Sequence, residues 1–284
     1  GLETERDPQI IGDGKGGAII AWITEKTEDT SYIYAQRIDS IGKALWGEGK
    51  IVTGAPLEKN HIQMVGSRRG GTIITWEDMR FGNTSIYAQK LNASGLRIWE
   101  EDGLKVRKEK ENGELPQLVQ DENDGAVIVW QDQRDGNYDI YAQWILGNGS
   151  YLWKDSIIVD SSIGSVAQQN PKIAYDGKNG FVIVWEDYRG GFPSLYAQRV
   201  NEEGRLTWSS DGIIVSPGPG IKQNPQLVND GNSSFIAFEE RREEKIYIQK
   251  ISNAGERMWK GDGIPVSTSK ESQRNPKITS DGKG

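Results

Sequence analysis

The order Asp-x-Arg occurs three times in this chain, at Asp78/Arg80, Asp132/Arg134 and Asp187/Arg189. Glu240/Arg242 keeps the spacing, and Thr24/Lys26 holds the same place with the acid lost. Residues two apart in a strand share a face, so each pair can close on itself or reach a neighbouring element. A catalytic carboxyl is needed once or twice in a protein, whereas this one recurs in most copies of its motif. The pairs are therefore read as structural ion pairs. Gln36, Gln89, Gln143, Gln198 and Gln249 recur beside them and are read as buried amides that satisfy backbone groups.

Other chemistries find less support. Glycoside cleavage needs two carboxylates in unlike environments across a pocket. No acid departs in type from its repeat equivalents, so no catalytic residue is assigned and no hydrolase activity is expected. Asp135 and Asp139 flank Gly136 and Asn137, but the regular spacing of calcium ligands is missing. His61 is the single histidine; it makes neither a zinc site nor a triad and is expected in solvent. No glycine-rich phosphate loop leads from a strand into a helix. Cofactor and metal sites are thus expected to be absent. Four triplets, beginning at Asn83, Asn92, Asn148 and Asn232, fit the acceptor pattern for N-glycosylation, and each falls in an expected turn.

The chain has 284 residues and a net charge of −7 with acids and bases interspersed. That disfavours nucleic-acid backbones and anionic membrane surfaces as partners. No apolar run approaches the ~20 residues that span a bilayer. The absence of cysteine removes disulfides, thiolate metal sites and cysteine nucleophiles together.

What must position these residues is a repeat. Trp22, Trp76, Trp130, Trp185 and Phe238 are spaced by 54, 54, 55 and 53 residues. Each copy reads as four strands. The first opens at Pro8, Ile62, Pro116, Pro171 or Pro225, where a missing N–H does no harm. A turn rich in Asp, Gly and Asn leads to the second, a continuous apolar run such as Ala126–Trp130, which predicts burial on both faces. The third, such as Ile140–Gln143, alternates more. Gly42, Gly95, Gly149, Gly204 and Gly255 mark the next turn, before a fourth short strand.

Such a unit cannot bury both faces alone, and stacking copies radially solves this, so the pattern predicts an all-β protein, a β-propeller of four-stranded antiparallel blades. The repeats run over approximately 7–60, 61–114, 115–169, 170–223 and 224–274 of one propeller domain or part of one. Residues 275–284 add the first strand of a sixth repeat, at Pro276–Thr279, and stop inside a turn at Asp281–Gly284. This is expected to mean that the chain is part of a longer one or that one terminal strand is displaced.

The consensus Asn-Pro-x-Ile, Asp-Gly, Trp-x-Asp-x-Arg-x-Gly, Asp-Ile-Tyr-Ala-Gln, Gly, Trp and Gly-Ile-x-Val resembles repeats in large secreted and cell-surface proteins of bacteria and archaea. Asn170–Val215 is the fullest copy, and the likeness covers nearly the whole chain. The resemblance implies a β-propeller in an extracellular setting and no defined reaction. The expected function is a non-enzymatic surface, adhesion or assembly module whose partners are other extracellular proteins or surface glycans. The alternative is a carbohydrate-binding or glycoside-cleaving propeller.

Overall fold

A computed structural model describes residues 4–107, 112–160, 166–259 and 261–280. The chain forms five four-stranded antiparallel sheets, each built from consecutive strands, and the fold is a β-propeller. The first sheet holds β1 (Thr4–Gly12), β2 (Ala18–Thr27), β3 (Thr30–Ile38) and β4 (Lys50–Thr53). The second holds β5 (Lys59–Gly66), β6 (Thr72–Asp78), β7 (Ser85–Leu91) and β8 (Leu104–Lys105). The third holds β9 (Gly113–Gln120), β10 (Ala126–Asp132), β11 (Asp139–Ile145) and β12 (Ile157–Ile158). The fourth holds β13 (Gln168–Tyr175), β14 (Gly180–Asp187), β15 (Ser194–Asn201) and β16 (Ile213–Ile214). The fifth holds β17 (Lys222–Asn229), β18 (Ser233–Glu240), β19 (Lys245–Ser252) and β20 (Ile264–Pro265).

The contacts divide the chain into two compact units, Gly1–Trp130 with Gln143–Ser156, and Gln131–Ala142 with Ile157–Gly284. In the first unit, β1, β5 and β9 lie side by side, and β2 and β6 pack against the first strand of the following sheet. In the second, β13 lies beside β17, and β14 packs on β17. In the first, second and fourth sheets the second strand is thereby covered by the first strand of the next. This is why the apolar residues of β6 and β14 need not alternate: both strands are buried throughout, as is β10. Trp76, Trp130, Trp185 and Phe238 are fully buried, while Trp22 is half-buried.

Two expectations are corrected. The third strand alternates in β3 but is buried along its whole length in β7 and β11. Residues Pro276–Thr279 are not a strand. Asn275 N–H still donates to Glu239 Oε1 at 2.7 Å, and Gln273 N–H to the Glu244 carbonyl at 2.8 Å. The segment is thus anchored to the fifth sheet without pairing as a strand among the described residues. The turn expected at residues 281–284 lies outside the described residues.

Candidate functional site

The Asp-x-Arg motif is structural, as the sequence predicts. Trp76 Nε1–H donates to Asp78 Oδ2 at 2.8 Å, and the same carboxylate takes Arg80 Nη2 at 2.6 Å. The Arg80 guanidinium then lies 3.9 Å above the Tyr87 ring, which stacks on Trp76. Trp185, Asp187, Arg189 and Tyr196 repeat this, with the guanidinium 4.0 Å above the tyrosine. Asp132 pairs with Arg134, which lies 3.8 Å above Tyr141. Charge pairing and cation–π attraction cover the end of each Trp–Tyr stack.

The glutamines also behave as expected. Gln198 Oε1 accepts the N–H of Arg199 and of Trp208, each at 3.0 Å, and its Nε2 donates to the Ser209 carbonyl at 2.5 Å. It clamps the turn before the fourth strand, and Gln89 does the same for Trp99 and Glu100.

The motif breaks in two copies. Thr24 supplies no carboxylate, and the buried Trp22 Nε1 has no partner. In the fifth sheet Phe238 has no N–H to donate, and Glu240 accepts backbone N–H groups from Arg242 (3.3 Å) and Glu243 (2.7 Å). The expected Glu240/Arg242 ion pair is therefore not formed.

A second set of acids follows immediately after the tryptophan. Each first strand carries a β-bulge in sheets one, two, four and five, and its residue before the proline position has a left-handed backbone. These residues are Asp7, His61, Leu115, Asn170, Asn224 and Asn275, with φ from 48° to 55°. The bulge frees an N–H, which a side chain from the preceding sheet accepts. Glu77 takes Leu115 N–H at 2.7 Å, and Gln131 takes Asn170 N–H at 3.0 Å. Glu186 takes Asn224 N–H at 2.8 Å, and Glu239 takes Asn275 N–H at 2.7 Å. The repeated asparagine before proline was the sequence signal for this backbone.

Within the second unit these carboxyls occupy different environments. Glu186 is 3 % exposed and Glu239 2 %. Burial pushes the Glu186 pKa up, against bonds from Asn224 N–H, Asn170 and the Tyr188 hydroxyl and the nearby Lys172 charge. For Glu239 burial acts in the same direction, but Asn275 N–H, the Asn224 side chain, Arg241 and Gln223 outweigh it and hold the pKa down. Asn224 thus bonds both groups, one through its backbone and one through its side chain. Lys172 is depressed by burial and by the neighbouring Lys277.

In the first unit, Glu77 carries both the Leu115 N–H and His61 Nδ1, the latter at 2.9 Å. His61 is exposed, as expected, but sits on the bulge instead of in a turn.

The remaining sequence candidates separate from this site. Asp135 accepts the Tyr141 hydroxyl, and burial followed by this bond raises the phenol pKa well above its usual range. Among the described residues no group of three His, Cys, Asp or Glu is placed to hold a metal. Asn83, Asn148 and Asn232 are exposed, and Asn92 is half-buried. Asn83 lies between the second and third strands of its sheet. Asn92 and Asn148 lie between the third and fourth, and Asn232 between the first and second. An apolar cleft of about 400 Å³ beside Phe235 and Ile278 holds Asp230 as its sole ionisable side chain, already bonded to Asn232 and Ser233 N–H.

No protein-family model matches the chain, and no curated protein matches it in sequence. Solved structures share its fold. An α-L-arabinanase of Penicillium chrysogenum, complexed with arabinobiose, superimposes with TM-score 0.55 at 12% identity, over 91% of this chain and 79% of that one. An α-L-arabinofuranosidase of Fusarium graminearum, with an iminosugar inhibitor, gives 0.51 at 11% identity, over 85% and 76%. An ulvan lyase bound to a GlcA(1-4)Rha3S unit gives 0.58 at 10% identity, over 87% and 67%.

These likenesses correct the functional expectation. The non-enzymatic surface, adhesion or assembly module expected from the sequence is not what they favour: these solved structures with the same fold are carbohydrate-acting enzymes. The expectation rested on acids that do not differ in type between repeats, whereas Glu186 and Glu239 differ in environment. No helix among the described residues is long and apolar enough to cross a membrane.

Proposed function

We propose that the chain is an extracellular, carbohydrate-acting propeller that cleaves a glycosidic bond where β13 and β17 begin. Glu186 is the proton donor and Glu239 the charged partner. The observation that carries this reading is the pair of carboxyls joined through Asn224, one pushed up by burial and the other held down by its bonds. Pairs driven apart in this way divide into acid and base. Glu186 gives its proton to the departing glycosidic oxygen as the anomeric C–O bond breaks. Water adds to the anomeric carbon and loses its proton to Glu239. The likeness to arabinan- and ulvan-acting enzymes supports the substrate class.

A reducing-end assay on arabinan, ulvan and related polysaccharides tests the proposal. Glu186→Gln should lower turnover by about 10²–10⁴-fold, the usual contribution of a general acid. It should leave the fold intact, because Gln131 makes the same bond from the third sheet to the Asn170 N–H of the fourth. No turnover on the panel, or turnover indifferent to both Glu186→Gln and Glu239→Gln, would overturn it. A binding-only propeller is the second reading. It is favoured by the near-complete burial of both carboxyls and their engagement with backbone, and it predicts glycan retention without cleavage.

A further inference from the structure

At the same end of the fourth and fifth sheets lies a cleft of about 480 Å³, within the range of small-ligand sites. It is lined by Gly190 and Phe192 from the turn after β14, by Gly218, Pro219 and Gly220 before β17, and by Arg242 after β18. All of these belong to the second unit. We propose that this cleft is a subsite for an acidic sugar, with the Phe192 ring against the pyranose face and the Arg242 guanidinium on the carboxylate. The inference deepens the carbohydrate reading above by naming a substrate class, and it rests on that reading.

The argument begins with the broken motif. Arg80, Arg134 and Arg189 are each held by an aspartate and laid over a tyrosine. Arg242 occupies the equivalent position and has neither contact. It is exposed, and its guanidinium makes no hydrogen bond or ion pair among the described residues. The cause is local. Glu240 turns its carboxylate to the N–H groups of Arg242 and Glu243, and Gly220 presses on it so closely that a Cβ there would lie 2.1 Å from Oε1. The same Cβ would lie 3.4 Å from Arg242 Cδ, so the arginine stem runs along this glycine and out over the cleft.

The acid at Gly218 is also occupied. Asp262 accepts Ser216 Oγ at 3.1 Å and the Gly218 N–H, and a Cβ on Gly218 would lie 1.8 Å from its carboxylate. Both carboxylates are engaged by backbone N–H or hydroxyl donors, which leaves the guanidinium as the unengaged side-chain donor offered to a ligand. Guanidinium geometry matches a carboxylate in two parallel bonds. Phe192, in the same lining, is 67 % exposed. Its ring offers an apolar face that solvent otherwise wets, and the glycine-rich lining lets a sugar approach the backbone. A neutral sugar would use the ring and leave the guanidinium unpaired. A uronate uses both.

Titration calorimetry with the intact chain tests this, using a glucuronate-containing tetrasaccharide and its carboxyl-reduced, neutral counterpart. Tight binding of the acidic form, weakening with salt and falling tenfold or more in Arg242→Ala and in Phe192→Ala, is expected. Arg242→Lys should restore part of the loss, and thermal midpoints should not move, since both side chains are exposed. Equal affinity for the two tetrasaccharides, no binding of either, or affinity unchanged in Arg242→Ala would overturn the subsite. Binding of the acidic form by a protein that cleaves nothing would sink the hydrolase reading and keep the subsite. Cleavage indifferent to Arg242→Ala, with no preference for acidic chains, would do the reverse.

Discussion

Single side chains decide where the repeat is scaffold and where it is available for chemistry. One residue past the repeated aromatic, Glu77, Gln131, Glu186 and Glu239 share the same backbone task, yet their neighbours differ. Glu77 is the case with a histidine neighbour. Its bond to His61 Nδ1 raises the imidazole pKa above 6.5, with burial opposing. A raised folded pKa means that the stabilisation is fully present below the unfolded value and is lost as pH rises through the folded one. His61 is 57 % exposed, so screening limits the effect to about 0.2–1 kcal/mol. The chain has one histidine, so its ring signal can be followed by NMR without ambiguity. The titration midpoint should lie above 6.5 and fall in Glu77→Gln, which keeps an acceptor for Leu115 N–H. A midpoint at or below 6.5 in the parent protein would mean that the pair does not form in solution.

At the scale of the element, the first strand of each sheet is where sequence reading fell short. The apolar second strands were legible because burial on both faces demands runs like Phe181–Trp185, which no alternating strand would contain. The ion pairs were legible because Asp78 and Arg80 are two apart. The bulge was signalled only by the repeated asparagine, which tolerates a left-handed backbone; the proline after it argues the other way, since a residue before proline ordinarily stays extended, whereas Asn170 has φ 54°. The divergence of Glu186 from Glu239 could not be read either. It depends on which partners Asn224, Asn275 and Arg241 supply across sheet boundaries. Leu115 tests the bulge. It holds φ 51° where three other copies place asparagine, and a left-handed backbone costs an ordinary residue roughly 1–2 kcal/mol. Leu115→Asn should therefore raise stability by about 0.5–1 kcal/mol, within the usual gain from a consensus substitution. A thermal midpoint that falls would show that Leu115 packing outweighs the strain.

For the whole molecule, each sheet has two unlike ends. The turns after the first and third strands share one end; the turn after the second strand and the link to the next sheet share the other. In the second unit the bulges, Glu186 and the Phe192–Arg242 cleft all lie at the latter end. Asn92, Asn148 and Asn232 lie at the former end of their sheets, and Asn83 at the latter. Attachment of a glycan needs a free side-chain amide that solvent and an enzyme can reach. Asn148 and Asn232 are exposed; the Asn148 oxygen accepts Ser150 N–H at 3.0 Å and the Ser150 hydroxyl at 2.7 Å, and the Asn232 oxygen lies 3.4 Å from Lys178 Nζ. Asn83 is exposed on a turn tip beside Phe81. Asn92 is half-buried, and its oxygen accepts both Ser94 N–H at 2.9 Å and Leu96 N–H at 3.0 Å. Secretion through a host with N-glycosylation should therefore modify Asn83, Asn148 and Asn232 and leave Asn92 largely bare, as read by peptide mass spectrometry. Asn92 occupied as fully as the other three, or all four bare in such a host, would break the link between exposure in this fold and modification.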